Sequence, residues 1–377
     1  MRIVDLFTGV GGLTFGFYYN LVNGQFVRNN DCHIVFANEL DDKAATAFQQ
    51  NFPDVNMIKK DIKNLSRNEI KAFVGDEEID LIIGGPPCQS YTTIGKRKYD
   101  DKAKLYNEYI RVLSIIKPRM FLLENVKGML TMRNENDELI IDELIRRFAK
   151  INRKLGYSVK HKVLNAVDYG VPQHRERVFI VGIRKGVQLD WDFPTGTYGD
   201  TIPIVTVKDA ISDLPMVNPG ESSDCYTQPA INTYQALMRG KNTHLKYHFA
   251  RVHGDKIQTV INNVIPGEGR DYINGLVDEG LLEEKYRLTS GYTNTYGRLV
   301  ADHPCTTITN NMSVPSSLRC IHYQYDRALT PREGARIQSF PDWFEFNGVK
   351  ENITTQIGNA VPPLLSLELA RSFEGLQ

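Results

Sequence analysis

The sequence carries no excess of charge of either sign. Its 45 Lys and Arg are matched by 45 Asp and Glu, so bulk charge gives no nucleic-acid footprint and any such surface has to be local. Paired cysteines are missing too. Cys32, Cys88, Cys225, Cys305 and Cys320 are scattered, with no C-x-x-C among them. That speaks against a disulfide framework or structural zinc, and for a reducing, cytoplasmic setting; no metal site is expected. No apolar run approaches the ~20 residues of a membrane span. No internal repeat or low-complexity tract interrupts the chain. The opening Met-Arg-Ile-Val-Asp already reads as a strand, so no signal peptide is expected. What remains is ordinary: 377 residues, 41% hydrophobic and 24% charged, enough for two domains or one with a large insertion.

The most informative stretch is Asp80-Leu-Ile-Ile-Gly-Gly-Pro-Pro-Cys-Gln89. Leu81, Ile82 and Ile83 read as a short buried strand. Gly84 and Gly85 let the backbone approach a ligand. Pro86 and Pro87 restrict φ twice, which places Cys88 on a rigid ledge at the carboxyl end of a strand, where open α/β sheets bind ligands. A lone cysteine is more often just a small buried side chain; its surroundings decide.

In chain order, residues 2–6 form a strand that runs into Phe7-Thr-Gly-Val-Gly-Gly-Leu-Thr-Phe-Gly16 and a helix. Strand, glycine turn and helix is a nucleotide-binding plan, although the spacing is not G-x-G-x-x-G. Residues 18–33 read as a polar surface excursion. The strand at 34–39 ends in Glu39, suited to ribose hydroxyls or to flanking the N-terminus of the next helix, which Asp41 and Asp42 open. The strand at 55–58 precedes Asp61, an adenine partner or a helix cap. A helix is expected over 100–116. The strand at 120–126 carries Glu124, which a parallel sheet brings to the same crevice as Cys88. A helix at 140–155 and strands at 159–164 and 178–183 follow, with Gln173-His-Arg-Glu-Arg177 between the strands. This alternation predicts an α/β fold, a doubly wound, mostly parallel Rossmann-like sheet. Residues 186–300 show no sustained helical period and are acidic, with 14 Asp and Glu against ten Lys and Arg. Within them, residues 239–256 hold five Lys and Arg and three His against one acid, a local basic stripe or a solvated face. Thr330, Pro331 and Glu333 mark a capped helix.

Six motifs then stand in order: Asp5-Leu-Phe-Thr-Gly-Val-Gly-Gly12, Gly85-Pro-Pro-Cys-Gln89, Glu124-Asn-Val126, Gln173-His-Arg-Glu-Arg177, Arg327-Ala-Leu-Thr-Pro-Arg-Glu-Gly-Ala-Arg-Ile-Gln-Ser-Phe-Pro341 and Gln356-Ile-Gly-Asn-Ala-Val-Pro362. Together they resemble those of the DNA (cytosine-5) methyltransferases of restriction–modification systems. The resemblance implies S-adenosylmethionine as cofactor and double-stranded DNA as substrate, with the target cytosine flipped out of the helix. It makes Cys88 the nucleophile at C6, Glu124 the proton donor at N3, and Arg175 and Arg177 the holders of the flipped base. It lines the cofactor with Phe7, Thr8, Gly9, Gly11, Gly12, Glu39, Asp61, Ile62, Pro86, Asn359 and Ala360. It sets Gln89, Ser90, Lys96, Arg97, Gln173 and Arg298 against DNA, with the 239–256 stripe on phosphates and residues 90–104 as a closing loop. Domains are expected at 1–185 plus 345–377 (catalytic and cofactor-binding) and 186–344 (a smaller, irregular target-recognition domain). A monomer is expected; a companion restriction endonuclease, where one exists, is expected to act separately. Three alternatives stay open. Cys225-Tyr-Thr227 approaches the Cys-Phe-Thr of tRNA cytosine-5 methyltransferases. The others are an inactive DNA-binding regulator and a nucleotide-binding oxidoreductase.

Overall fold

The computed structural model describes residues 1–87, 105–152, 154–289, 292, 293 and 295–375. Strand β1 (Arg2–Leu6) and helix α1 (Gly12–Tyr18) open the chain. Strands β2 (Tyr19–Val22) and β3 (Gln25–Arg28) follow, then β4 (His33–Glu39), α2 (Asp42–Asn51), β5 (Met57–Lys59), α3 (Arg67–Val74) and β6 (Leu81–Gly84). Next come α4 (Tyr106–Ile116), β7 (Met120–Val126), α5 (Ile140–Ala149), β8 (Tyr157–Asn165) and β9 (Glu176–Arg184). Seven strands form one sheet in the order β5-β4-β1-β6-β7-β9-β8. The first five are parallel, and β9 pairs antiparallel with both β7 and β8.

Successive residues of a strand point to opposite faces, and the apolar runs feed a core on each side. Ile3, Leu81, Ile83, Leu122 and Phe179 join the core beneath α1 and α2. Val4, Leu6, Ile82, Phe121, Leu123 and Val178 join the core beneath α3, α4 and α5. This is the doubly wound, mostly parallel α/β sheet that the alternation predicts. The Asp41 side chain caps α2 as the sequence indicates, and Ser66 with Glu69 makes a capping box on α3, a helix that the sequence reading did not mark.

The sequence reading differs from the structure in several elements. Residues 18–33 contain a hairpin, β2–β3. Its turn, Asn23-Gly24, has both residues at positive φ, the backbone that a two-residue hairpin turn requires. The helix expected over 140–155 ends at Ala149. The region after 186 is not devoid of helix: it holds α6 (Val207–Ile211), α7 (Thr233–Arg239), α8 (Asp255–Asn263) and α9 (Arg270–Asp278). Each is too short for an apolar stripe to register; α8 buries only Val260 and Ile261. These two join Val264, Ile273, Leu288, Tyr296 and Ile321 in a small separate core.

The chain returns through α10 (Pro331–Ile337), α11 (Lys350–Asn359) and α12 (Pro363–Ser372). Helix α12 lies directly on α1. A methyl group at Gly16 would stand 2.2 Å from the Ser366 backbone, so only glycine permits the approach. Ser366 Oγ accepts from Gly16 N–H at 3.1 Å and donates to the Leu13 carbonyl.

Candidate active site

The glycine turn is pinned from three sides. Phe7 and Gly9 have φ of 59° and 57°, and the Gly11 φ is 90°. The Thr8 N–H donates to the Asn38 carbonyl at 3.1 Å. The Thr8 hydroxyl donates to buried Asp5 at 2.6 Å, and Thr14 donates to the same carboxyl oxygen. Burial raises the Asp5 pKa to about 7, against the opposing effect of those hydroxyls. On the outer side, the Glu39 carboxylate accepts from Gly9 N–H, Leu40 N–H and Asp41 N–H, each at 2.8 Å. No heavy atom lies within 4 Å of a Cβ placed on Gly9, so the turn opens onto free space there. Behind it the packing is tight: a methyl group at Gly12 would lie 2.3 Å from the Val361 carbonyl and 3.0 Å from Ala360 Cβ. The tail at 359–361 therefore closes on the turn.

Asp61 follows β5 and caps the short turn Ile62–Asn64 through Lys63 N–H at 2.9 Å. Ile62 is buried in the core.

A second cluster sits at the carboxyl end of β6. Leu123 pairs with Gly84, so Glu124 stands one step further out, against Gly85. A methyl group at Gly85 would be 2.9 Å from Glu124 Oε2. Arg177 faces Glu124 across the β7–β9 pairing, with Nε 3.1 Å from Oε1. Burial pushes the Glu124 pKa up, and the Arg177 and Arg175 charges pull it back. Asn125, buried at 1% exposure, donates its amide to the Pro86 carbonyl at 3.2 Å and holds the Pro-Pro ledge. Cys88, Gln89, Ser90, Lys96 and Arg97 lie outside the described residues, as does the loop at 90–104.

Three of the expected contact residues turn inward. Gln173 is fully buried; it accepts from Ile308 N–H at 2.7 Å and donates to Gln338 Oε1 at 2.5 Å. Arg175, 1% exposed, donates to the carbonyls of Ile308, Gly358 and Ala360, each at 2.9 Å. Arg298 is a correction to the DNA-contact expectation. It is 5% exposed and its guanidinium serves the carbonyls of Ile261, Val264, His322 and Tyr325 as well as Asp326. A buried guanidinium needs such partners, and these hold it inside the small core region.

The basic stripe also needs correcting. Arg239 pairs with Asp213 at 2.6 Å, Lys246 pairs with Glu345, and buried His248 bonds Thr330 and the Pro215 carbonyl. Burial lowers the His248 pKa, so it adds no charge at neutral pH. Lys241 and Arg251 remain exposed. A charge count along the chain does not reveal which cations already have partners.

Sequence reasoning did not single out Asp5, Asn38 or Asn125. A polar side chain inside or directly after an apolar strand was the available signal for each, because such a group needs a buried partner.

The C-5 cytosine-specific DNA methylase model matches residues 1–374. The chain is 32% identical over 376 residues to the Type II methyltransferase M1.HphI of Haemophilus parahaemolyticus, covering 99% of this chain and 86% of that protein. It is 30% identical over 443 residues to the Type II methyltransferase M.AgeI of Thalassovita gelatinovora, covering 99% of each. Among solved structures, a prophage-encoded E. coli protein assigned as a DNA modification methyltransferase superposes with a TM-score of 0.76 at 26% identity, covering 100% of this chain and 99% of that one. The Entamoeba histolytica methyltransferase EhMeth shares the fold, with a TM-score of 0.59 at 15% identity over 100% of this chain and 99% of that one.

Proposed function

This chain belongs to the C-5 cytosine-specific DNA methylase family, and on that premise we propose which of its residues carry the reaction. The enzyme transfers a methyl group to C5 of cytosine in DNA. One observation supports our reading most: the Glu124 carboxyl is desolvated, paired with Arg177, and packed against Gly85, three residues before Cys88.

The residues around the glycine turn fit S-adenosylmethionine. Gly9 opens onto free space, the Glu39 carboxylate stands beside it for the ribose hydroxyls, and Asp61 with Ile62 follows β5 on the adenine side. Thr8, Gly11, Gly12, Pro86, Asn359 and Ala360 complete the surroundings. When bound, the donor supplies a methyl group activated by a sulfonium.

Cytosine C5 is a poor nucleophile. The Cys88 thiolate adds to C6, which makes C5 an enamine carbon that takes the methyl group; C5 then loses its proton to solvent and the C6–S bond breaks, returning the thiolate. Charge builds on the ring during the addition, and Glu124, whose acid form burial favours, gives a proton at N3. Arg177 orients that carboxyl. Flipping the cytosine costs a few kcal/mol, offset by DNA contacts from the 186–344 region. Residues 1–185 with 345–377 hold the chemistry. We place the enzyme in the cytoplasm as a monomeric modification enzyme that acts separately from any companion endonuclease.

Bisulfite sequencing of DNA from cells expressing the chain tests this reading. Methylated cytosines at one recurring sequence are expected, and Cys88→Ser removes them while retaining cofactor binding. Label incorporated only into tRNA, or unchanged turnover in Cys88→Ser, overturns it.

A further inference from the structure

Gln338 is the residue that caps the carboxyl end of α10 and is fully buried. Its carboxamide nitrogen donates to the Ile357 carbonyl at 2.9 Å and to the Ala360 carbonyl at 3.1 Å. Its oxygen accepts from Gln173 Nε2 at 2.5 Å, which fixes the direction of the amide. Gln173 is fixed in turn, because its own oxygen accepts from Ile308 N–H at 2.7 Å. The Ala360 carbonyl is shared: it also accepts from Arg175 at 2.9 Å. Arg175 lies two residues from Arg177, the partner of Glu124. The next residue of α10's exit, Ser339, has a φ of 65°, and its hydroxyl accepts from Leu364 N–H at 3.1 Å. The end of α10 thus grips the tail at both ends of its turn, 357–360 and 364. That turn is the segment that a methyl group on Gly12 would strike.

We infer that Gln338 is a positioning residue for the cofactor pocket. It holds the 357–361 turn against the glycine turn and, through the Ala360 carbonyl shared with Arg175, sets that seating in register with the Arg177–Glu124 pair. The inference rests on the S-adenosylmethionine reading above. The physical reason is that a main-chain turn between two helices has carbonyls in need of donors. Here the donors come from the end of α10, a helix that packs on α11 as well as on α6 and pairs with the buried Asp213 and Asp342. Gln338 therefore acts on the cofactor without facing it.

Two variants test this. Gln338→Glu keeps the shape and loses both donated bonds; Gln338→Leu loses the polar group altogether. Gln235→Leu, at an equally buried glutamine in α7, controls for general loosening. Binding of S-adenosylmethionine by calorimetry, thermal unfolding, and methyl transfer to unmethylated genomic DNA are measured on the full chain. Both Gln338 variants are expected to weaken S-adenosylmethionine binding by about tenfold, the scale of one or two buried hydrogen bonds. The KM for DNA should stay within about twofold, and Gln235→Leu should lower the unfolding temperature without changing cofactor affinity. Wild-type cofactor affinity in Gln338→Glu and Gln338→Leu overturns the inference. A wild-type chain that neither binds S-adenosylmethionine nor methylates DNA overturns the functional reading instead.

Discussion

Glu124 is where burial and charge oppose each other most directly. Desolvation favours its neutral form, while Arg177 at 3.1 Å favours the carboxylate. The net shift is upward, so the acid form persists to a higher pH than in a free glutamate. Glu124→Gln keeps the shape and removes the proton; kcat is expected to fall by at least about a hundredfold, the usual scale for general acid catalysis, with cofactor affinity unchanged. In the wild type, kcat should decline as pH rises through the Glu124 pKa, and this limb should vanish in the variant's pH profile. Asp5 has the same cause of shift but no place in the chemistry. Its folded pKa of about 7 exceeds the ordinary 3.8, so the folded state binds the proton more tightly than the unfolded chain. Asp5 therefore makes stability fall as pH rises from about 4 to about 7. Asp5→Asn should flatten the drop in unfolding temperature between those two pH values; an unchanged drop would assign the pH dependence to other groups.

At the scale of elements, the site depends on α1 and α12 lying in contact. Gly16 makes this possible, since a Cβ would collide with the Ser366 backbone, which cannot swing away as a side chain can. Gly16→Ala is expected to destabilise the chain by about 1–3 kcal/mol in urea unfolding, as overpacked cores do. It should also weaken S-adenosylmethionine binding, because the displaced helix carries the tail with it. Helix α10 is specified locally by Thr330 and Glu333, each bonding the other's backbone N–H. Glu333 also forms a buried pair with Arg327 at 2.6 Å, which holds its carboxyl below the usual range. The same glutamate is thus a cap and a tertiary anchor.

Across the whole molecule, a buried charge network ties α10 to the segments around α6 and α7, inside the 186–344 region. Arg336 bonds Asp213 and Asp342, each at 2.7 Å, and all three side chains are fully buried. Arg332 reaches Asp342 at 3.5 Å, Arg239 reaches Asp213 at 2.6 Å, and the Tyr226 hydroxyl donates to Asp342 at 2.6 Å. Such networks give little net stability when intact, but removing one partner strands a buried charge. Arg336→Met is therefore expected to cost about 3–5 kcal/mol in equilibrium unfolding, and a loss under about 1 kcal/mol would mean that water reaches the two aspartates. The Tyr226 bond also gives Cys225-Tyr-Thr227 a structural explanation: its aromatic ring serves this network and lies under Arg239 at 3.8 Å.

The sequence by itself determined the sheet, because β-branched runs ending in glycine or an acid mark strands that need no tertiary information to be recognised. It also marked the capped helices α2 and α10 and the placement of Glu124 and Glu39 at strand ends, since a parallel sheet puts all such ends on one edge. Only the tertiary structure decided which cations and amides face outward. Arg298, Gln173 and half of the 239–256 stripe look the same in sequence as a DNA-binding surface. A guanidinium bonded to phosphate and one bonded to carbonyls belong to the same residue type, and the acceptors sit tens to hundreds of positions away along the chain. The same holds for Gln338, whose partners at 173, 357 and 360 come together only when the tail folds back onto the first helix.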